Sequence, residues 1–287
     1  MLIPGILNLA LFKYLPMWGI IISFQHFHPA MGVLGSRWVG VQHFVDFFTD
    51  PYFFRIIRNT FFLGFWVILF SFPAPIVFAL LLNELRHMTF KRITQTISYM
   101  PFFLSIVVII GLVRDMTTTT DGIVNYAIAA LGGEKIHFFM RPEWFRPLYV
   151  ISGIWQGVGF GSIIYLAAIA GINPELYESA IIDGANRLSQ VWHITLPSIL
   201  PTIMILMILR VGAILSTDFQ KILLMYSPFT YETADVISTY IYRVGIEAVG
   251  SNFSYAAAVG LFSAVISLIF LVVTNKIAKS LSEYSLW

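Results

Sequence analysis

Six long apolar stretches, over about 3–24, 61–82, 97–113, 148–172, 199–217 and 255–274, decide what this chain can fold into. A bilayer core about 30 Å thick is crossed by about 20 apolar residues in a helix, with every backbone group satisfied inside the segment. Each stretch meets that requirement. The sequence therefore predicts an all-α polytopic membrane protein, six transmembrane helices in a single membrane domain over 1–287. Pro16 interrupts the first stretch, and Pro73 and Pro75 the second; neighbouring helices can satisfy the backbone groups that proline frees. Charged residues make up 11% of the chain, against about 25% in a soluble domain, so no water-facing shell is available. The first stretch lacks a basic leader region and a small-residue cleavage site and reads as a span rather than a signal peptide. Lys13 within it is expected to snorkel or to pair.

The same residues exclude several functions. A formal charge of +2 without a basic run gives no nucleic-acid partner. There is no cysteine, hence neither a disulfide framework nor a thiolate metal site. No G-x-x-x-x-G-K-[ST] phosphate loop occurs, so nucleotide hydrolysis would fall to another chain, and no cofactor is expected on this one. The histidines at 26, 28, 43, 87, 137 and 193 show no H-E-x-x-H spacing. His26 and His28 alternate in a short loop, a pattern more often solvated than metal-bound. No metal site is expected. Asn252-Phe253-Ser254 matches a glycosylation sequon that has no use in a bacterial membrane.

Between the first two spans lies an aromatic-rich, charged segment. Phe44, Phe47, Phe48, Phe53 and Phe54 suit an interfacial helix over about 40–58, lying at headgroup depth. A packed loop on the same side of the membrane accounts for the pattern equally well.

Residues 173–197 form the other distinctive connection. Asn173 is a good N-cap and Pro174 suits the first helical position. Leu176, Tyr177, Ala180 and Ile181 make an apolar stripe, from which Glu175, Glu178, Ser179 and Asp183 point away. Gly184 ends that helix in a left-handed turn. A second short helix follows, with Leu188, Val191, Trp192 and Thr195 on one side and Pro197 closing it.

Glu178-Ser179-Ala180, three residues, Gly184, nine residues, then Ile194-Thr195-Leu196-Pro197 resembles the E-A-A loop of binding-protein-dependent ABC importer permeases. Ser179 in place of the first alanine is the one departure. The likeness extends over essentially the whole chain. Residues 39–60 are similar to the stretch before the second core span in maltose-type permeases, and Ser285-Leu286-Trp287 is similar to the end of importers for complex oligosaccharides. The resemblance implies the type I importer fold, with 173–197 as a cytoplasmic coupling loop in which Glu178, Ser179, Ala180, Asp183 and Gly184 meet the ATPase. It further implies a homologous second permease, two ATPase subunits carrying ATP and Mg, and an extracytoplasmic solute-binding protein. The site is a bacterial inner membrane, with both termini in the cytoplasm. Positive charge supports that orientation by density and not by number. Arg86, Lys91, Arg92, Arg187, Lys276 and Lys279 lie on the loop's side; Arg37, Arg55, Arg58, Arg114, Lys135, Arg141, Arg146, Lys221 and Arg243 lie in the longer opposite loops.

Gly153, Gly157 and Gly161 recur every fourth residue in the fourth stretch. This ridge serves close helix packing or, with Gln156 and Phe160 beside it, leaves room for a sugar. Arg210 falls in the middle of the fifth stretch, with Ile214 and Thr217 on the same stripe and Asp218 at the outer end. Lipid exposure of an arginine at mid-span costs about 2.5–3.5 kcal/mol, so it should face an interface or a cavity. By the resemblance, the solute pathway corresponds to Gln156, Gly157, Phe160, Arg210, Ile214 and Thr217. Arg210 either reads an acidic sugar or completes a structural ion pair. The function so implied is ATP-driven import of an oligosaccharide or polysaccharide fragment by alternating access. An ion-coupled secondary transporter would use Arg210, Asp218 or Lys13, yet these do not form broken-helix pairs in inverted repeats. A membrane enzyme would need acids and bases converging near a midplane, and no such cluster is present.

Overall fold

The computed structural model describes residues 2–248, 250 and 252–281; Ser285-Leu286-Trp287 lie outside the described residues. Helix α1 (Ile3–Phe24) leads through the two-residue strands β1 (Gln25–His26) and β2 (Arg37–Trp38), an antiparallel pair, to α2 (Gln42–Thr49). Then come α3 (Phe53–Asn83), α4 (Met88–Phe103), α5 (Ile106–Thr117), α6 (Ile123–Ala130) and α7 (Pro142–Ala170). Helices α8 (Pro174–Ile182), α9 (Arg187–Gly212), α10 (Phe219–Met225), α11 (Ile237–Tyr242) and α12 (Phe253–Ser280) complete the chain. Among the described residues, five helices are long and apolar enough to cross a membrane, or six if α4 and α5 count as one bent span.

Three of the spans accommodate proline in the same way. A π-turn at Ala10–Tyr14 precedes Pro16, one at Val67–Ser71 precedes Pro73, and one at Val191–Thr195 precedes Pro197. In each, the residue before or just ahead of the proline donates its N–H five residues back, as Phe72 does to the Val67 carbonyl at 3.0 Å. Proline lacks an N–H, and its ring strikes the carbonyl four residues back. A widened turn moves that carbonyl aside and lets the helix continue.

Pro197 therefore does not close a short helix, as the sequence suggests. Residues from Arg187 onward run straight into the fifth span. The expected third span is also different, because α4 and α5 meet at 104°. Pro101 sits in a 3-10 turn, Leu104 is extended, and Ser105 caps α5 by accepting the Val108 N–H at 3.4 Å. Proline and a capping serine four residues apart would have marked this break.

The helix expected over about 40–58 is likewise two elements, α2 and the first turns of α3. Asp50-Pro51 separates them, with the Asp50 carboxylate accepting the Tyr52 N–H at 2.7 Å. The same carboxylate accepts from the hydroxyls of Tyr240 (2.5 Å) and Tyr255 (3.0 Å). Phe47 is 1% exposed and packs with Ile56, Ile237, Tyr240 and Val259, while Phe48 and Phe54 remain exposed. The segment is thus largely a packed corner.

Two further apolar clusters hold the long helices together. Leu63, Ile109, Phe145 and Ile222 join α3, α5, α7 and α10. Ile76, Ala79, Tyr165, Ile169 and Ile199 join α3, α7 and α9. In contrast, every residue of α1 from Leu2's neighbour Ile3 to Trp18 is exposed. That helix meets the chain chiefly through its Trp18–Phe24 end, on α12.

Candidate functional site

The loop after α7 is built as its sequence dictates. The Asn173 side chain accepts the Glu175 N–H at 3.1 Å, and Pro174 takes the first turn. Gly184 adopts φ +77°, where a side chain is disfavoured. The turn is closed by the Ala185 N–H on the Ala180 carbonyl at 2.8 Å. Asn186 then caps α9 by accepting the Ser189 N–H at 2.8 Å. Tyr177 and Ala180 turn inward and are half-buried, whereas Glu178, Ser179, Asp183 and Gly184 are exposed. Leu176 and Ile181 of the apolar stripe are exposed; with Ile182, 86% exposed, they give the loop an apolar outer surface.

Two contacts fix this knob to the spans. The Tyr177 hydroxyl lies 2.9 Å from that of Thr195 on α9, and Arg187 pairs with Glu84 at the end of α3 at 3.0 Å. Tyr177 thus ties the knob to α9, and Arg187 ties the start of α9 to α3.

At the other end of α9 is a polar recess. Arg210 occupies the last turn rather than mid-span, because the helix ends at Gly212. The side chain of Leu271 crowds Gly212, and Asp218 caps a new helix by accepting the Lys221 N–H at 3.1 Å. Ile214 and Thr217 consequently lie in a turn and not on a helical stripe. They still meet Arg210, together with Gly64, Tyr149 and Ser216, around a slot of about 10 Å³. Gly64 is required there, since a Cβ would collide with the Ile214 carbonyl. Arg210 also borders a groove of about 480 Å³ with Ser71, Pro75, Gly161, Tyr165 and Leu206. It is exposed, and among the described residues it forms no ion pair.

Gln156 and Phe160 face elsewhere. Gln156 donates to the Leu104 carbonyl at 3.5 Å, and Phe160 stacks on Phe102 at 3.9 Å, so both address the α4–α5 break. The glycine ridge does not seat one helix: Gly153 faces Lys221, Gly161 faces Pro75, and Gly157 faces open space.

The reading of the sequence missed Tyr149 and Lys221. Lys221 is 4% exposed, donates to the Tyr149 carbonyl at 2.8 Å and lies 4.6 Å over that ring. Burial pushes its ammonium down to about 8, against a smaller opposite pull from Asp218. The run Ser216-Thr217-Asp218 was its sequence mark, as a capping stretch ahead of α10.

Long proline-adapted helices, with an exposed knob at one end of α9 and a polar recess at the other, fit a membrane transport permease. The chain belongs to the family of binding-protein-dependent transport system inner membrane components, whose model matches residues 71–283. It is 44% identical over 287 residues to the polygalacturonan/rhamnogalacturonan transport system permease protein YteP of Bacillus subtilis, covering 100% of this chain and 89% of that one. Identity to Protein LplB of the same organism is 44%, over 100% of this chain and 90% of that one. A crystal structure of a bacterial ABC transporter importing the acidic polysaccharide alginate superposes with a TM-score of 0.90 at 44% identity, over 98% of this chain and 94% of that one. An alginate transporter in complex with an alginate pentasaccharide-bound periplasmic protein gives 0.91 at 42% identity, over 100% and 95%. The protein is the membrane-spanning permease subunit of an ABC importer, and the ion-coupled alternative is set aside.

Proposed function

We propose that the chain imports an acidic oligosaccharide, as one half of a translocation unit completed by a homologous permease. Two ATPase subunits, which carry ATP and Mg, dock on the loop at 173–197, and an extracytoplasmic binding protein delivers the solute. The loop and both termini then lie in the cytoplasm. The observation that carries this reading is the knob itself. Leu176, Ile181 and Ile182 expose an apolar surface beside Glu178, of the kind that marks a protein interface. Glu178, Ser179, Asp183 and Gly184 form the coupling face, with Ala180 half-buried behind them.

Closure of the ATPase pair displaces the knob, and α9 carries the displacement about 35 Å to Arg210. There the groove walls of α3 and α7 alternate between inward and outward access. Arg210, Ile214 and Thr217 line the pathway, Gln156 and Phe160 flank it at the α4–α5 break, and Gly157 opens beside them. Among the described residues Arg210 has no carboxylate partner, and its planar fork suits a sugar carboxylate. The alginate importers to which the chain is similar support the acidic class.

Proteoliposomes holding the assembled transporter test this. Oligouronide uptake should require ATP on the loop's side together with the binding protein. Uptake driven by an ion gradient without ATP would overturn it.

A further inference from the structure

We propose that a pocket at the outer end of α5 binds one uronic acid residue of the incoming oligosaccharide, as a subsite separate from the recess at Arg210. The proposal rests on the reading of the solute as an acidic oligosaccharide. The pocket measures about 300 Å³ and is lined by Arg114, the threonines at 117–120, His137 and Phe139. Its second wall leads into the start of α7, whereas the knob follows the end of that helix, so a full span separates the two. The pocket therefore faces the side from which solute is delivered.

Both walls are fixed before any ligand arrives. Asn125, 1% exposed, donates to the carbonyls of Thr117 at 2.8 Å and Ile136 at 2.9 Å and accepts the Ile136 N–H at 2.8 Å. One buried amide thus ties the threonine wall to the stretch ahead of α7. Arg114 is held as firmly. It donates to the Leu224 carbonyl at 3.0 Å, and its guanidinium carbon lies 5.1 Å over the Phe139 ring. Among the described residues it has no carboxylate partner. Asp121 in the same loop is engaged by the hydroxyls of Thr118 at 2.9 Å and Thr120 at 2.7 Å, and Lys135 donates to the Thr119 carbonyl at 2.7 Å. An oriented guanidinium among hydroxyls suits a unit that carries a carboxylate and several hydroxyls together. A neutral sugar would leave the guanidinium unpaired. Reach fits as well: α5 runs about 18 Å from the break beside Gln156 and Phe160 to this pocket. A chain long enough to lie in both meets Arg114, and a short one held at the recess does not.

Initial uptake rates of a diuronide and a hexauronide, in proteoliposomes of the assembled transporter supplied with binding protein and ATP, read the subsite. Arg114→Gln should lower the ratio of hexauronide to diuronide uptake about tenfold. Thr119→Val removes a hydroxyl at little change in volume and should lower the same ratio by a smaller factor. An unchanged ratio in Arg114→Gln would overturn the proposal. So would an equal loss at both lengths, which would make Arg114 a structural residue. A wild type that imports neither oligouronide would overturn the acidic-solute reading itself, and the subsite with it.

Discussion

Arg187 and Arg210 stand near opposite ends of one continuous helix, the first paired with Glu84 at 3.0 Å and the second without an ion-pair partner among the described residues. Arg187 fixes the start of α9 to α3, whereas Arg210 stands in the recess without such a partner among the described residues. The helix continues between them because α9 absorbs Pro197 in a π-turn and keeps Pro201 within its regular turns instead of breaking.

The bond between Tyr177 and Thr195 is the second fixture of the knob. Tyr177→Phe removes it at a cost of about 1 kcal/mol, without creating a cavity. Transporter assembly and basal ATP hydrolysis should stay normal, while solute-stimulated hydrolysis and uptake fall together. Unchanged stimulation in that variant would show that the knob does not depend on this contact.

Gly184→Val adds a β-branched side chain at φ +77° where no neighbouring atom lies within 4 Å of the new Cβ. The penalty is therefore backbone strain alone, about 1–2 kcal/mol. The turn should reshape and uptake should be lost, with the permease still inserted and folded by circular dichroism. Full uptake would remove the loop from coupling.

Asp235 is fully buried between Arg55 at 3.1 Å and Arg243 at 2.7 Å and accepts a further bond from Thr239 at 3.1 Å. Asp235→Asn strands two cations, and breaking a buried pair in this way costs about 3–5 kcal/mol. Thermal unfolding of the purified transporter in detergent should move down by several degrees, independently of solute. An unshifted transition would mean that water reaches both guanidinium groups.

That network also explains what the sequence could and could not reveal. The spans, the caps at Asn173 and the turn at Gly184 were legible because periodicity and local propensity act within a few residues. Charge counting carries little weight because many cations assigned to the longer loops are engaged within the fold. Arg55 and Arg243 serve Asp235, Arg114 donates to the Leu224 carbonyl at 3.0 Å, and Lys221 to that of Tyr149 at 2.8 Å. Such contacts link residues far apart in the chain and leave no periodic trace. The end of α9 at Gly212 was missed for a different reason: the apolar run continues past it, so hydropathy hid a stop that Gly212 and the capping run at 216–218 mark.

Lys221 makes stability depend on alkaline pH. Its folded value of about 8 lies below the ordinary 10.5. Between those limits the unfolded chain holds a proton that the folded chain has released, so stability rises with pH across the window. Below about pH 8 the burial penalty is present in full. Melting temperatures of wild type and Lys221→Met, compared from pH 7 to 10.5, should converge as pH rises. A difference that is constant with pH would mean that the lysine keeps its proton throughout.

Initial uptake rates for an oligouronide in proteoliposomes of the assembled transporter, wild type against Arg210→Gln, test the central claim most directly. Loss of a charge-assisted hydrogen bond worth about 1.5–3 kcal/mol should slow uptake about 10- to 100-fold. Assembly and basal ATP hydrolysis should be retained, because no ion pair within the described residues depends on Arg210. Arg210→Lys should recover only part of the rate, since it keeps the charge and loses the fork. Oligouronide uptake by Arg210→Gln at the wild-type rate would contradict the account.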